Sequence, residues 1–200
     1  MTDLSPREIA TWHREVCKVT DWLVISGDLP PSKADAKLKL DEWIAAGVTD
    51  IVDVRGEWSD EELVKDLAPS VRYHYLGTHD DGTSQDKQWF DDGIAALHDA
   101  LEHDDAVVMV HCHMGVNRGP SMALAFLIDQ GWDPIEALDA IRNARPIAGI
   151  IYARDAVEAS AATLTAKGHN IEDLHKRIER WFERNHIDVG TIIRWIRRSE

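Results

Sequence analysis

Cysteine is scarce: the 200-residue chain has two, Cys17 and Cys112. Two thiols cannot build the disulfide framework of a small secreted domain, and a reducing compartment, the cytoplasm, suits such a chain. No apolar run approaches the roughly 18 residues that a membrane-spanning helix needs. The opening residues, Met1 to Glu8, lack the basic-then-apolar order of a secretory leader, so none is expected. Internal repeats and low-complexity tracts are also missing. Basic residues are the minority charge, 22 Lys and Arg against 36 Asp and Glu, for a formal net charge of −14. That balance argues against general binding to a nucleic-acid backbone, which needs a cationic surplus. The deficit is uneven, because residues 165–200 hold eight basic and six acidic side chains. An acidic body is compatible with a phosphorylated ligand held in a local cationic pocket, but it slows the approach of highly anionic ones.

Hydrophobic residues make up 44% of the chain, ample for the core of one domain. Residues 5–18 read as a helix with Ile9, Trp12, Val16 and Val19 on one face, and Trp22 to Ile25 as a short strand. A helix over 33–46 presents Leu38, Trp43 and Ile44 and stops at Gly47. Strands follow at 50–54 and 71–76, then a helix over 86–101 carrying Phe90, Ile94, Leu97 and Leu101. The Val-rich run Ala106 to Val110 reads as a buried strand, and Met122 to Ile128 as a buried helix. Helices at 134–144, with Ile135, Leu138 and Ile141 inward, and at 150–166 come next. Strands alternating with helices imply an α/β fold: a central, mainly parallel sheet of four to five strands with helices on both faces.

Between that Val-rich strand and the buried helix stands His111-Cys112-His113-Met114-Gly115-Val116-Asn117-Arg118-Gly119-Pro120-Ser121. In open parallel sheets this edge is where ligands bind. The turn's backbone N–H groups, from His113 through Arg118, and the helix dipole make a local anion site. The same field favours a thiolate at Cys112, which makes it nucleophilic. Arg118 can offer a planar fork to two oxygens of a tetrahedral dianion. Gly115 stands where the turn needs positive φ or close backbone approach. Asp53 and Arg55 leave their strand at the same edge, where the pair either fixes a loop or lines the rim. The loop Gly77 to Ser84 is polar and glycine-bounded, so mobility is expected. It offers two carboxylic acids, Asp80 and Asp81, to protonate a departing oxygen, a service typically worth ~10²–10⁴-fold. His79, His111 and His113 could ligate a metal with Cys112, yet no ligand spacing accompanies them, and the chemistry requires neither metal nor cofactor.

His-Cys-x5-Arg between strand and helix resembles the phosphate-binding signature of the cysteine-dependent protein phosphatases, most of all their dual-specificity branch. A sulfurtransferase loop of the rhodanese type would be expected to place four residues, not five, between Cys and Arg. The run Ile25-Ser26-Gly27-Asp28-Leu29-Pro30 and the Arg145-Pro146 break are similar to the same branch, so the likeness covers roughly residues 21–166. It implies a phosphotyrosine-phosphatase-like fold and a phosphomonoester hydrolase acting on phosphotyrosine, and on phosphoserine or phosphothreonine, through a cysteinyl phosphate. By the branch's spacing, the general acid falls on Asp80, 32 residues before Cys112. The resemblance also assigns His111 to orienting the loop by hydrogen bonding. One position departs: the family's Ser or Thr after the arginine is Gly119 here, with Ser121 two residues later. Ser121 either substitutes for that hydroxyl or caps the helix. Slow hydrolysis of the thiophosphate is the expected consequence, and a phosphate-binding pseudophosphatase is the alternative reading, with a sulfurtransferase third. The loop has no Lys, which disfavours polyphosphorylated inositides, and no phosphotyrosine-clamping segment is recognisable in the N-terminal half.

The expected organisation is an N-terminal helix in 1–20, a catalytic domain in 21–166 and a helical extension in 167–200. In that extension Ile171, Leu174, Ile178, Trp181 and Phe182 form one apolar stripe, and Ile192, Ile193, Trp195 and Ile196 a second, beside Arg194, Arg197 and Arg198. Such stripes dock on the parent domain in cis or mediate dimerisation. The modest basic count argues against a membrane-surface anchor. Expected partners are a phosphorylated protein or a small phosphomonoester.

Overall fold

A computed structural model describes residues 5–199 of the chain. The ends of the two terminal segments named above, residues 1–4 and Glu200, lie outside the described residues. The elements run α1 (Pro6–Trp12), β1 (Cys17–Lys18), β2 (Leu23–Ser26), α2 (Lys33–Ala45), β3 (Asp50–Arg55), α3 (Glu61–Leu67) and β4 (Arg72–Thr78). They continue with α4 (Lys87–Ala100), β5 (Val108–His111), α5 (Arg118–Asp129), α6 (Pro134–Ala144), α7 (Ala153–Ala159), α8 (Ala161–Ala166), α9 (Ile171–Arg184) and α10 (Val189–Ser199).

The strands form one sheet in the order β1-β2-β5-β3-β4, with β2, β5, β3 and β4 parallel and β1 antiparallel at the edge. Every residue of β2, β3 and β5 is buried, yet the period of two still sorts their side chains by face. Val24, Ile51 and Met109 pack with Leu40 and Trp43 of α2 and Val64 of α3. Leu23, Ile25, Val52, Val108 and Val110 turn the other way, onto α4, α5, α6 and α7. Burying side chains of this size is worth about 1.5–3 kcal/mol each. Helix α5 has no solvent face: Arg118 through Ile128 are all buried, which accounts for its all-round apolar sequence.

Register sets the site. Ser26, His111 and Asp53 are paired level with one another across β2, β5 and β3. The residues that follow them, including Cys112, Asp28 and Arg55, therefore emerge together at the carboxyl edge of the sheet, where open α/β folds bind ligands.

Several local expectations need correction. The helix read over 5–18 ends at Trp12, and Cys17 instead pairs with Ile25 as an edge strand. On α2 the buried stripe is Ala36, Leu40 and Trp43, spaced four and three apart, so Leu38 and Ile44 lie off it and are 64% and 40% exposed. The helix read over 150–166 is two short helices that meet at Ser160, preceded by a turn. The extension lies against the rest of the chain: Leu174, Ile178 and Trp181 of α9 join the larger core, and Ile192 and Ile196 of α10 pack with Ile9 of α1.

Candidate active site

Residues 112–117 form the turn between β5 and α5, and Cys112 at its start is 2% exposed. The turn's carbonyls point outward. His113 O accepts from the Asp28 amide (2.9 Å) and Val116 O from the Gly149 amide (2.6 Å). Buried Arg145 takes the middle of the turn, donating Nε to Gly115 O (2.5 Å) and Nη2 to Met114 O (3.1 Å). Its other donors reach His13 O (3.0 Å), Glu15 O (3.2 Å) and Cys17 Sγ (3.2 Å). With the carbonyls drawn outward, the amides of Met114, Gly115, Val116 and Asn117 donate to no acceptor among the described residues. Successive unpaired amides of this kind make an anion-binding concavity. Gly115 has φ +61°, and a Cβ there would sit 2.4 Å from Arg145 Nη2, so both the turn and its support require glycine.

Arg118, 3% exposed, opens α5 at the far end of the turn. Its Nη1 and Nη2 form a fork on Glu57 (2.8 and 2.7 Å), and Nη1 also donates to Thr78 O (2.7 Å). Nε has no hydrogen-bond partner among the described residues and lies 3.4 Å from Asp80 Oδ2. Burial opposes the charge on Arg118, but the bonds to Glu57 and the nearness of Cys112 and Asp80 outweigh it and raise its affinity for the proton. Burial pushes Glu57 up, and Arg118 more than reverses this, leaving its carboxyl below the usual range. Sequence reasoning missed Glu57, because nothing local marks an acid two residues past a strand as an arginine's anchor.

Asp80 and Asp81 face different ways. Asp80 accepts from Asn117 Nδ2 (2.7 Å) and from the Tyr152 hydroxyl (2.8 Å), which puts it over the turn beside Arg118. Asp81 is exposed and closes its own small turn, accepting from the Thr83 amide (2.9 Å) and hydroxyl (2.7 Å), bonds that lower its affinity for a proton. The loop expected to be mobile has several ties: Thr78 Oγ1 to Gln85, Gln85 Nε2 to His79 O, the Gln85 amide to Asp155, and the Gly82 amide to Tyr152.

The two histidines beside the sulfur diverge. His111 is buried under the turn, with Nε2 3.7 Å from Asp53 Oδ1, and Nδ1 has no hydrogen-bond partner among the described residues. The loop-orienting bond expected of it is therefore not made; Arg145 holds the loop instead. Burial keeps His111 below its ordinary proton affinity, against the pull of Asp53. His113 turns its ring outward, with Nδ1 2.8 Å from Asp28 Oδ2 and the ring against Trp58. Asp28 also meets Arg14 (3.0 Å) and His13 (3.4 Å); despite burial, its bonds to the two histidines hold it well below the usual carboxylate range. Asp53 and Arg55, both fully buried, serve the loop-fixing alternative: Arg55 Nη2 donates to Asp53 (2.8 Å) and Asp60 (2.5 Å).

Of the two roles expected of Ser121, the helix cap is not made, because Asn117 holds that position. The Ser121 hydroxyl donates to Asn117 Oδ1 (3.4 Å) and accepts from the Tyr152 amide (3.3 Å). Ser121 sits a full turn into the helix, where its hydroxyl ties the Asn117 side chain to the backbone of Tyr152, the two residues that hold Asp80.

A turn with sulfur at its start, a guanidinium at its end and outward carbonyls between them is the architecture of the cysteine-based phosphatases. Residues 34–151, more than half of the chain, match the dual specificity phosphatase catalytic domain, and the chain belongs to that family. Solved structures agree on the fold. Human DUSP28 superposes with a TM-score of 0.60 at 20% identity, covering 74% of this chain and 94% of that one. PTPMT1 in complex with PI(5)P gives 0.57 at 18% identity, covering 74% and 98%. The human tyrosine phosphatase-like serine/threonine/tyrosine-interacting protein gives 0.59 at 18% identity, covering 76% and 99%.

Proposed function

We propose that the protein hydrolyses phosphomonoesters, with phosphorylated protein side chains as the substrate class, through a phosphocysteine intermediate. The observation that carries this reading is the grouping of four amides and the Nε of Arg118, none hydrogen-bonded among the described residues, with one buried thiol at the start of their turn. Glu57 occupies the Nη1/Nη2 end of the guanidinium. The Nε/Nη2 edge is thereby left for two phosphoryl oxygens, the planar arrangement that suits arginine to phosphate.

In the first step Cys112 Sγ attacks phosphorus as a thiolate, the S–P bond forms and the P–O ester bond breaks. Asp80 gives its proton to the departing oxygen. In the second step water attacks phosphorus, Asp80 takes a proton from it, the P–S bond breaks and Cys112 leaves as thiolate. The turn amides, including that of His113, and Arg118 stabilise the equatorial oxygens throughout, so catalysis is positioning plus fixed charge. Two free cysteines suit a reducing compartment such as the cytoplasm.

The test is phosphate release from p-nitrophenyl phosphate and from phosphotyrosine and phosphoserine peptides by the wild type and Cys112→Ser. The variant is expected to lose turnover while retaining the ability to pull down phosphorylated protein. Wild-type binding of phosphopeptide with no phosphate release would favour the pseudophosphatase reading, for which Gly119 is the specific observation.

A further inference from the structure

The turn between α6 and α7 touches both halves of the site. The Gly149 and Ile150 amides donate to Val116 O (2.6 and 3.4 Å), the Ile151 amide to Asn117 Oδ1 (2.6 Å), and the Tyr152 amide to Ser121 Oγ (3.3 Å). Ile150 has φ +54°, a conformation that a β-branched residue adopts only when its surroundings impose it. The turn delivers Tyr152, 1% exposed, whose hydroxyl accepts from the Gly82 amide (3.2 Å) and donates to Asp80.

The two donors that reach Asp80 converge on one oxygen. Tyr152 Oη lies 2.8 Å from Oδ1 and Asn117 Nδ2 2.7 Å from the same Oδ1. Oδ2 is the oxygen turned to Arg118 Nε, at 3.4 Å. A carboxyl oxygen that already accepts two hydrogen bonds is a poor place for a proton, because the O–H would have to displace a donor. We infer that Tyr152 is a positioning residue which, with Asn117, saturates Oδ1 of Asp80 and so fixes the transferable proton on Oδ2, the oxygen that faces the arginine. The inference rests on Asp80 being the acid of the reaction proposed above. Burial and the neighbouring Asp80 carboxylate both raise the phenol's proton affinity, so Tyr152 donates throughout the working pH range. Ser121 sets this arrangement by bonding Asn117 and receiving the Tyr152 amide.

Tyr152→Phe removes the hydroxyl and keeps the ring. The readout is kcat/KM, which reports formation of the thiophosphate even where its breakdown is slow. For phenyl phosphate, whose leaving group needs a proton, kcat/KM is expected to fall about tenfold or more, within the usual share of general acid catalysis. For p-nitrophenyl phosphate, whose leaving group departs unprotonated, the loss is expected to stay below about threefold. In an Asp80→Asn background, Tyr152→Phe is expected to cost nothing further. Hydrogen exchange at the Gly82 amide is expected to quicken in Tyr152→Phe, a readout independent of turnover. Equal losses for both esters, additive losses in the Asp80→Asn background, or unchanged exchange at Gly82 would each overturn the inference while leaving the phosphatase reading intact. If Asp80→Asn itself spared phenyl phosphate, the acid assignment would fall, and the inference with it.

Discussion

A Cβ placed on Gly119 would sit 3.4 Å from the Cys112 amide nitrogen, an ordinary van der Waals distance. The backbone there can therefore carry a side chain, rooted beside the backbone of His111 and Cys112. Gly119→Ser is expected to speed thiophosphate breakdown by about tenfold, the worth of one hydrogen bond to a departing thiolate. Rapid-quench kinetics would show the wild-type burst shrink relative to steady turnover; an unchanged burst would mean that the glycine does not limit the second step. At this scale the sequence is readable where placement depends on neighbours along the chain. Cys112, Gly115 and Arg118 stand in or beside one turn between β5 and α5, as their spacing predicts. Glu57 and Tyr152 act across 61 and 72 residues of sequence, on Arg118 and Asp80 respectively. No local pattern announces a contact of that kind. Ser121 bonds Asn117, four residues before it, and also the Tyr152 amide, which only the turn beyond α6 brings to it.

Among the elements, the segment from Ile141 to Tyr152 does most to shape the turn around Cys112. Arg145 satisfies four backbone carbonyls from two separate segments, and each buried carbonyl left unpaired costs roughly 1–3 kcal/mol. Arg145→Met keeps much of the side chain's bulk and removes the donors. It is expected to destabilise the fold by about 3 kcal/mol or more, lowering Tm by several degrees. Affinity for orthovanadate is expected to fall further than that of a surface control, because the Met114 and Gly115 carbonyls would be free to turn inward. Calorimetry and vanadate inhibition check the two halves of this prediction. The elements that the sequence announced clearly were those with a strong period and a defined stop, such as α6 between Asp133 and Arg145. The seven-residue α3 escaped notice because it buries only Val64 fully, too little to set up a periodic signal. The α7/α8 break at Ser160 was hidden by an alanine-rich stretch that suits helix throughout.

Across the whole molecule, the two ends of the chain meet on the turn. Ile9 of α1 and Ile192 and Ile196 of α10 form a small core with Met114, Val116 and Ile147. Two of those partners, Met114 and Val116, are side chains of the turn that follows Cys112. Ile196→Ala is expected to cost about 2–4 kcal/mol of local stability, the usual range for emptying a fully buried aliphatic site. The loss would appear as faster hydrogen exchange in α10 and at the Gly149 amide, which donates to Val116 O, with β5 unaffected. Unchanged exchange at Gly149 would show that α10 covers the loop without supporting it. The apolar stripes of the C-terminal segment were visible at their helical spacing, but their destination was not. Amphipathicity says that a face must be covered; which surface covers it is decided by the assembled sheet and its loops.

The dependence of the Cys112 turn on Arg145 and on residues 149–152 has a consequence for a chain still being synthesised. A nascent chain that has emerged only as far as Asp129 already carries the thiol, the arginine and all five strands. It lacks every group that turns the Met114, Gly115 and Val116 carbonyls away from the sulfur. Until those last residues leave the ribosome, the Met114, Gly115 and Val116 carbonyls lack their outward partners, and the shape of the turn arrives after the sheet that carries it.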